Sequence, residues 1–326
     1  VEKRPTQSMN NPFPLSDSNK RYYTYDFYLK RTFGGKCIKV PLDAGMTCPN
    51  IDGTCGRGGC IYCSPRGSGD NALSANVPLD IQYIEQREKL TIKWPAARER
   101  CIAYFQAHTN TYAPLQRLKT VFEEALTYPG VVGLNIATRA DCLAPDVLAY
   151  LAELSERTVL TLELGLQSSN DATAARINRG HTMAQFCTGF AALRKAAPRI
   201  QICTHVIFGL PGETEREMMQ TIDDVARLHP DQIKIHLLHV LRGTRLGTAY
   251  EAGEYRPMER ADYVRLTAQA LTRLPGDVVI CRLTGDGQAA DLLAPIWSRN
   301  KITVLNDIDA YLYERDWYQG IFADAK

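Results

Sequence analysis

From residue 37 onward, short runs of β-branched and apolar residues alternate with stretches whose apolar positions recur every three or four residues. The runs at 37–43, 101–106, 131–136, 158–164, 200–208 and 233–240 predict strands. Between and after them, 79–93, 115–127, 145–155, 171–176, 183–197 and 214–228 predict amphipathic helices. The last opens on Thr214 with Glu217 three residues later, a spacing at which each side chain caps the other's backbone N–H. Regular strand–helix alternation gives parallel strands joined by right-handed crossovers, as an open doubly wound sheet or as a full or partial barrel. Pattern alone does not separate these. Beyond residue 258, a helix at 259–273, a strand near 278–282 and two further helical stretches predict a C-terminal extension, 259–326. Residues 1–20, rich in Pro, Ser and Asn and without periodicity, read as a mobile arm, which leaves 21–258 as the core. No internal repeat or low-complexity linker marks a second independent domain.

The 326 residues are 45% hydrophobic and carry 38 Lys and Arg against 36 Asp and Glu, which excludes disorder as the main state. No run approaches the roughly 18 apolar residues of a membrane span, and residues 1–20 hold no apolar signal-peptide centre. A cytoplasmic location and no membrane partner are therefore expected. A net charge of +2 gives no global field for nucleic acid, so any such contact needs a local patch. Four of the ten cysteines crowd into the loop after the first strand, at 48, 55, 60 and 63. In a reducing compartment such crowding points to a metal or redox site. Cys37, Cys101, Cys142, Cys187, Cys203 and Cys281 are scattered among apolar neighbours and read as small core residues.

The cysteine loop follows a strand, the edge at which α/β folds place their chemistry. Four thiolates suit tetrahedral zinc, and a zinc-stabilised binding module is the competing class of protein. Zinc sites commonly pair two CxxC knuckles, whereas only Cys60 and Cys63 form one here. An iron–sulfur cluster held by three thiolates fits better, because it leaves one iron open to a small molecule.

Cys48 to Cys63, with Phe33-Gly34-Gly35-Lys36 and Asp43-Ala44-Gly45 before it, resembles the radical S-adenosylmethionine (SAM) superfamily, and within it the YhcC-like branch related to the Elongator catalytic subunit. The likeness continues through 104–112, Leu162 to Ser168, 177–181 and Gly209-Leu210-Pro211-Gly212-Glu213, and covers about residues 20 to 320. It implies a partial (β/α)6 TIM-like barrel with an α/β C-terminal extension that closes the substrate side. It also implies a 4Fe–4S cluster on Cys48, Cys60 and Cys63, with Cys55 either a bystander or, since Cys55-x4-Cys60-x2-Cys63 is nearer the superfamily's commonest spacing, a ligand in place of Cys48, and SAM cleaved by one electron to methionine and a 5′-deoxyadenosyl radical. The electron comes from a reductant such as flavodoxin or ferredoxin.

For SAM, the resemblance matches Tyr62 to the aromatic placed against adenine, and Gln106 to Thr109 to the motif for the amino group, although its Gly-Gly-Glu is absent. Gln167 matches a ribose-binding glutamine, Arg179 the arginine paired with the carboxylate, and Leu210 the adenine-holding segment. Glu163 is either a ligand or a barrel-floor residue. The implied reaction is hydrogen abstraction from a small, nucleoside-like molecule, leading to cleavage, rearrangement or oxidation of a lyase or oxidoreductase type; radical modification of tRNA is the alternative.

Strand alternation gives a separate reading. It puts Cys203, His205 and Ile207 on one face of the fifth strand, and Lys234 and His236 on one face of the sixth. If those faces look into the barrel with Asp43, the Asp/His/Cys set is competent for a second metal ion, and His205, His236 or Lys234 for proton transfer. His239 falls on the other face or in the following loop.

Overall fold

The structure, a computed structural model, describes residues 11–67, 69, 71–285 and 290–323. Its core is seven parallel strands: β1 (Ile38–Leu42), β2 (Cys101–Phe105), β3 (Val131–Thr138), β4 (Val159–Gln167), β5 (Gln201–Phe208), β6 (Gln232–Leu237) and β8 (Val279–Arg282). They pair in that order into a curled half-barrel whose edges are β1 and β8. A short antiparallel pair, β7 (Val240–Leu241) with β9 (Leu292–Ala294), lies beyond β6. The six predicted strands are all present, and the strand expected near 278–282 is the seventh strand of the same sheet.

The crossover helices are α2 (Leu79–Lys93), α3 (Leu115–Leu126), α4 (Pro145–Ser155), the pair α5 (Asp171–Arg176) and α6 (Met183–Ala196), and α7 (Glu215–Leu228). Of these, α2, α3, α4 and α7 pack directly on strands of the sheet. In α3, Leu118, Val121, Phe122 and Ala125 are buried, the spacing of a single helical face. Thr214 and Glu217 make the expected capping box on α7, and Thr182 and Gln185 make a second on α6. After α8 (Arg245–Glu251), α9 (Arg260–Arg273) and α10 (Lys301–Glu314) pack on each other, and α9 also packs on α7.

The pattern did not announce α1 (Tyr25–Phe33). Its Tyr25, Tyr28, Leu29 and Phe33 gather against Ile102, Gly133 and Asn135, so this helix stoppers the N-terminal end of the half-barrel. The arm expected through residue 20 is partly corrected. Phe13 is buried against Tyr23 and Val279, Asn11 Nδ2 donates to the Lys20 carbonyl at 2.8 Å, and Lys20 pairs with Asp309. Residues 1–10 of that arm lie outside the described residues. Gln319 knits the two ends together: it accepts from Tyr23 N at 2.9 Å and donates to the Pro275 and Val278 carbonyls.

Candidate active site

At the C-terminal ends of the strands lies a cavity of about 240 Å³. Cys48, Cys60 and Cys63 line it, as do His205, Lys234 and His236 from β5 and β6. The cysteine loop holds its shape through two asparagines. Asn50 Nδ2 donates to the Asn178 carbonyl at 3.1 Å and to Cys60 Sγ at 3.4 Å. Asn178, in the left-handed region at φ 55°, donates back to Gly59 O at 2.6 Å and Arg57 O at 3.0 Å. The segment after α5 thus clamps the loop to the barrel.

The three thiols differ in how readily they ionise: Cys60 is held low, Cys48 and Cys63 high. Burial pushes Cys48 up, opposed by the Thr109 hydroxyl 2.9 Å from its sulfur and by Arg179 and Arg139. A hydrogen bond between Cys63 and Cys60 holds Cys60 well below the usual thiol range and Cys63 well above it, and Arg179 draws both down. Cys55 is exposed, with Sγ 3.6 Å from Arg139 Nη2, and does not line the cavity. Four sulfurs therefore do not gather as a zinc knuckle requires. Among the described residues no group of three His, Cys, Asp or Glu side chains is placed to hold a metal ion. A cubane distributes its three thiolates over three irons, so the three cysteines on one cavity wall fit it without converging on a point.

Tyr62, Gln106, Thr109, Gln167 and Arg179 line the same cavity. Arg179 Nη2 donates to the Gly165 carbonyl, while its buried Nε has no partner among the described residues, a donor free for an anionic ligand group. A Cβ on Gly165 would lie 2.7 Å from Gln167 Nε2 and 2.8 Å from Arg179 Nη2, so only glycine admits both side chains. Gln167 has φ 77° and His108, also on the cavity, φ 61°. Such backbone strain concentrates where a site demands it.

Three expected site residues are placed otherwise. Leu210 is buried in an apolar cluster with Ile177, Ile207 and Tyr255 and does not line the cavity. Asp43 Oδ1 accepts from Gly45 N at 2.9 Å and its backbone N–H bonds Gln82, so its carboxylate shapes the loop root instead of joining a metal set. Cys203 is fully buried beneath the cavity, its thiol pushed well up by burial. Without Asp43 and Cys203 on the cavity wall, the second-metal set loses two of its ligands.

Glu163 is a floor residue. Its Oε1 accepts from Lys39 at 2.5 Å and Asn135 at 2.9 Å; its Oε2 accepts from Tyr104 at 2.6 Å and from Lys234, with His205 Nε2 at 3.1 Å. Burial alone would raise this carboxyl, but Lys234 and Lys39 hold it well below the usual range. Lys39 is lowered to about 8 by burial, despite Glu163 and with help from Lys234, whereas Lys234, though burial lowers it most, is raised because Glu163, Tyr104 and Cys203 together outweigh that burial. Both lysines draw on one carboxylate, and the less exposed lysine, Lys234, keeps its proton more firmly.

Alternation places His205, Ile207, Lys234 and His236 on the cavity as expected. The rings of His205 and His236 stand 5.3 Å apart. Burial, with Arg282, His205 and Lys234 nearby, holds His236 well below the usual imidazole range, hence neutral. His239, read as facing away or in a loop, lines the cavity, is lowered to about 4 by burial and by Lys301 and Arg282, and has a buried Nε2 without a partner. The sequence reading missed Lys39, Tyr104, Asn135, Arg139 and Arg282. The first three are polar residues at inward positions of otherwise apolar strands, a signal available from alternation. Arg139 grips Asp141 through two bonds and donates to the Arg179 carbonyl at 2.7 Å, which positions the Arg179 segment.

The described residues contain no helix long and apolar enough to cross a membrane. Residues 51–225 match the family model of the Radical SAM superfamily, and residues 230–314 that of the Radical_SAM C-terminal domain. The chain is 45% identical to YtqA of Bacillus subtilis over 313 residues, 96% of each chain. It is 36% identical to YhcC of Escherichia coli over 289 residues, 88% of this chain and 90% of that one. In fold it is similar to archaeal Elp3 of Methanocaldococcus infernus, with TM-score 0.63 at 16% identity, over 86% of this chain and 64% of that chain. The chain belongs to the radical SAM superfamily, in the branch of YtqA and YhcC.

Proposed function

We propose that this radical SAM enzyme abstracts hydrogen from a small substrate, with a 4Fe–4S cluster on Cys48, Cys60 and Cys63 and SAM held by Tyr62, Gln106, Thr109, Gln167 and Arg179. When bound, the two cofactors supply a 5′-deoxyadenosyl radical at the cost of one electron from a reductant of the flavodoxin or ferredoxin type. The chain's own residues bind, orient and exclude water. Three cysteines leave one iron without a protein ligand, and the free Nε of Arg179 receives a carboxylate beside it. Thr109 donates to Cys48 and Asn50 to Cys60, hydrogen bonds that tune a thiolate-bound cluster. Beneath, Glu163 closes the floor, its Oε1 accepting from Lys39 and Asn135 and its Oε2 from Tyr104 and Lys234. His236, neutral and within reach of His205, accepts or returns a proton.

The observation that carries this reading is the sharing of one cavity by the three thiols and the unpartnered guanidinium nitrogen, while Cys55 turns to Arg139. Anaerobic reconstitution tests it. The wild type and Cys55→Ala take up iron and sulfide, absorb near ~400 nm, and release 5′-deoxyadenosine from SAM under reductant. Replacing Cys48, Cys60 or Cys63 by Ala abolishes all three signals. Zinc without sulfide in the wild type, or an intact cluster in Cys60→Ala, refutes the assignment.

A further inference from the structure

The cavity wall away from the cysteines is built mainly from β6, β8 and the segment after β6: Lys234, His236, His239 and Arg282 line it, with Glu163 and Tyr104 at its base. Its polar chemistry is one-sided. Glu163 is the only carboxylate among the described cavity residues, and both its oxygens are occupied, by Lys39 and Asn135 on one and Tyr104 and Lys234 on the other. Two ammonium groups share that single negative charge, which leaves an excess of one positive charge at the floor. Lys234 Nζ donates to Glu163 and, at 3.2 Å, to Tyr104, so one of its three N–H groups remains for something else. Above it, the buried Nε2 of His239 has no partner among the described residues.

A buried, incompletely bonded ammonium and an unsatisfied buried imidazole are both costly in a low dielectric, and an oxyanion relieves both. A cationic group, by contrast, meets no free carboxylate among the described residues that line the cavity. We infer that the substrate is a small oxyanion, a carboxylate- or phosphate-bearing molecule whose charged end is received by the Lys234 ammonium, with His239 a hydrogen-bond donor on the same wall. This deepens the function proposed above and rests on reading the cavity as the site of that reaction. It also sorts the candidate substrates: an uncharged nucleoside lacks the group this wall recognises, whereas a nucleotide or an organic acid carries it.

Calorimetric titration of the full-length reconstituted protein under anaerobic conditions, with SAM saturating so that Arg179 is occupied, tests the inference with succinate, glycerol 3-phosphate, glycerol and putrescine as probes. At least one of the two anions binds, which decides between carboxylate and phosphate, while glycerol and putrescine do not. Lys234→Met weakens anion binding by about tenfold to a hundredfold, the effect of one charge-assisted hydrogen bond. Removal of Lys234 also disturbs Glu163, so His239→Ala, which leaves the floor network intact, is the second variant and weakens anion binding by about threefold to tenfold. Binding of neither anion, equal binding of glycerol or putrescine, or anion binding unchanged in both variants overturns the inference. Iron and sulfide content and unstimulated 5′-deoxyadenosine release from the same preparations report on the cofactor reading separately: their loss with anion binding intact removes that reading, and their presence without anion binding removes this one.

Discussion

Substitution of Glu163 by Gln is the sharpest probe of the barrel floor. The carboxylate is 1% exposed, Lys234 5% and Lys39 20%, so solvent screens these contacts weakly. Each ammonium–carboxylate contact is worth roughly 4 kcal/mol at an effective dielectric near 20. The amide keeps the shape and one acceptor, but leaves two buried lysines without a counter-charge. Breaking a buried ion pair from one side typically costs about 3–5 kcal/mol, and Glu163→Gln is expected in that range near neutral pH. The deficit depends on pH in both directions. In the wild type, the carboxyl lies well below its ordinary 4.5, so its stabilisation is complete above that value and drains away as pH falls through its native value. The variant has no such loss, and the two stabilities converge in acid. On the alkaline side, Lys39 already sits at about 8; without Glu163 it is lowered further, and Lys234 loses the main partner that raises it. The unfolded chain holds those protons up to about 10.5, so the variant regains stability as pH rises toward that value. Urea unfolding of wild type and variant, followed by circular dichroism from about pH 7 to about pH 10, measures the deficit. A deficit under about 1 kcal/mol, or one that does not shrink across this interval, would show that the floor is not an ionic network in the sense argued.

Gly165→Ala is expected to push Gln167 and Arg179 off their positions, since the new Cβ lies 2.7 and 2.8 Å from their nitrogens. SAM affinity by equilibrium dialysis falls about tenfold to a hundredfold with the circular dichroism spectrum unchanged; unaltered affinity removes Arg179 from the SAM site. Gly189→Ala drives a methyl into the Ala140 carbonyl where α6 crosses the end of β3, and is expected to lower stability by about 1–3 kcal/mol, read as a fall in Tm.

The strand and crossover-helix framework was legible because the strands, buried on both faces, read as short apolar runs, while a helix such as α3 buries a single stripe. Residues 79–93, 145–155 and 171–176 are helical to the residue. What periodicity lacks is partnership. It could show that 278–282 was a strand but not that Ile280 would sit beside Ile233 and extend the main sheet. Nor did it mark α1, whose aromatic residues serve a barrel end rather than a sheet face. At the site, the cysteines and Arg179 were legible because loop chemistry is local and the blocks resemble a known family. Alternation also put His205, Lys234 and His236 on the right face. It misjudged Asp43, whose carboxylate found a backbone N–H two residues on, a choice made by turn geometry. It passed over Lys39 and Tyr104, whose meaning comes only from a carboxylate on another strand.

Gln319 and Tyr23, hydrogen-bonded at 2.9 Å, are 296 residues apart in the chain. A ribosome releases the first segment of the domain long before its mate exists. At translation rates of about 5–20 residues per second, the backbone at Tyr23 waits some tens of seconds for that bond. Just before then the strands, β8 included, are already made, but the side chain that ties Tyr23 to Pro275 and Val278 is missing, and completion depends on residue 319 returning to a segment made 296 residues earlier. Stopping translation just short of residue 319 should therefore yield a species more sensitive to protease than one stopped just after the bond can form.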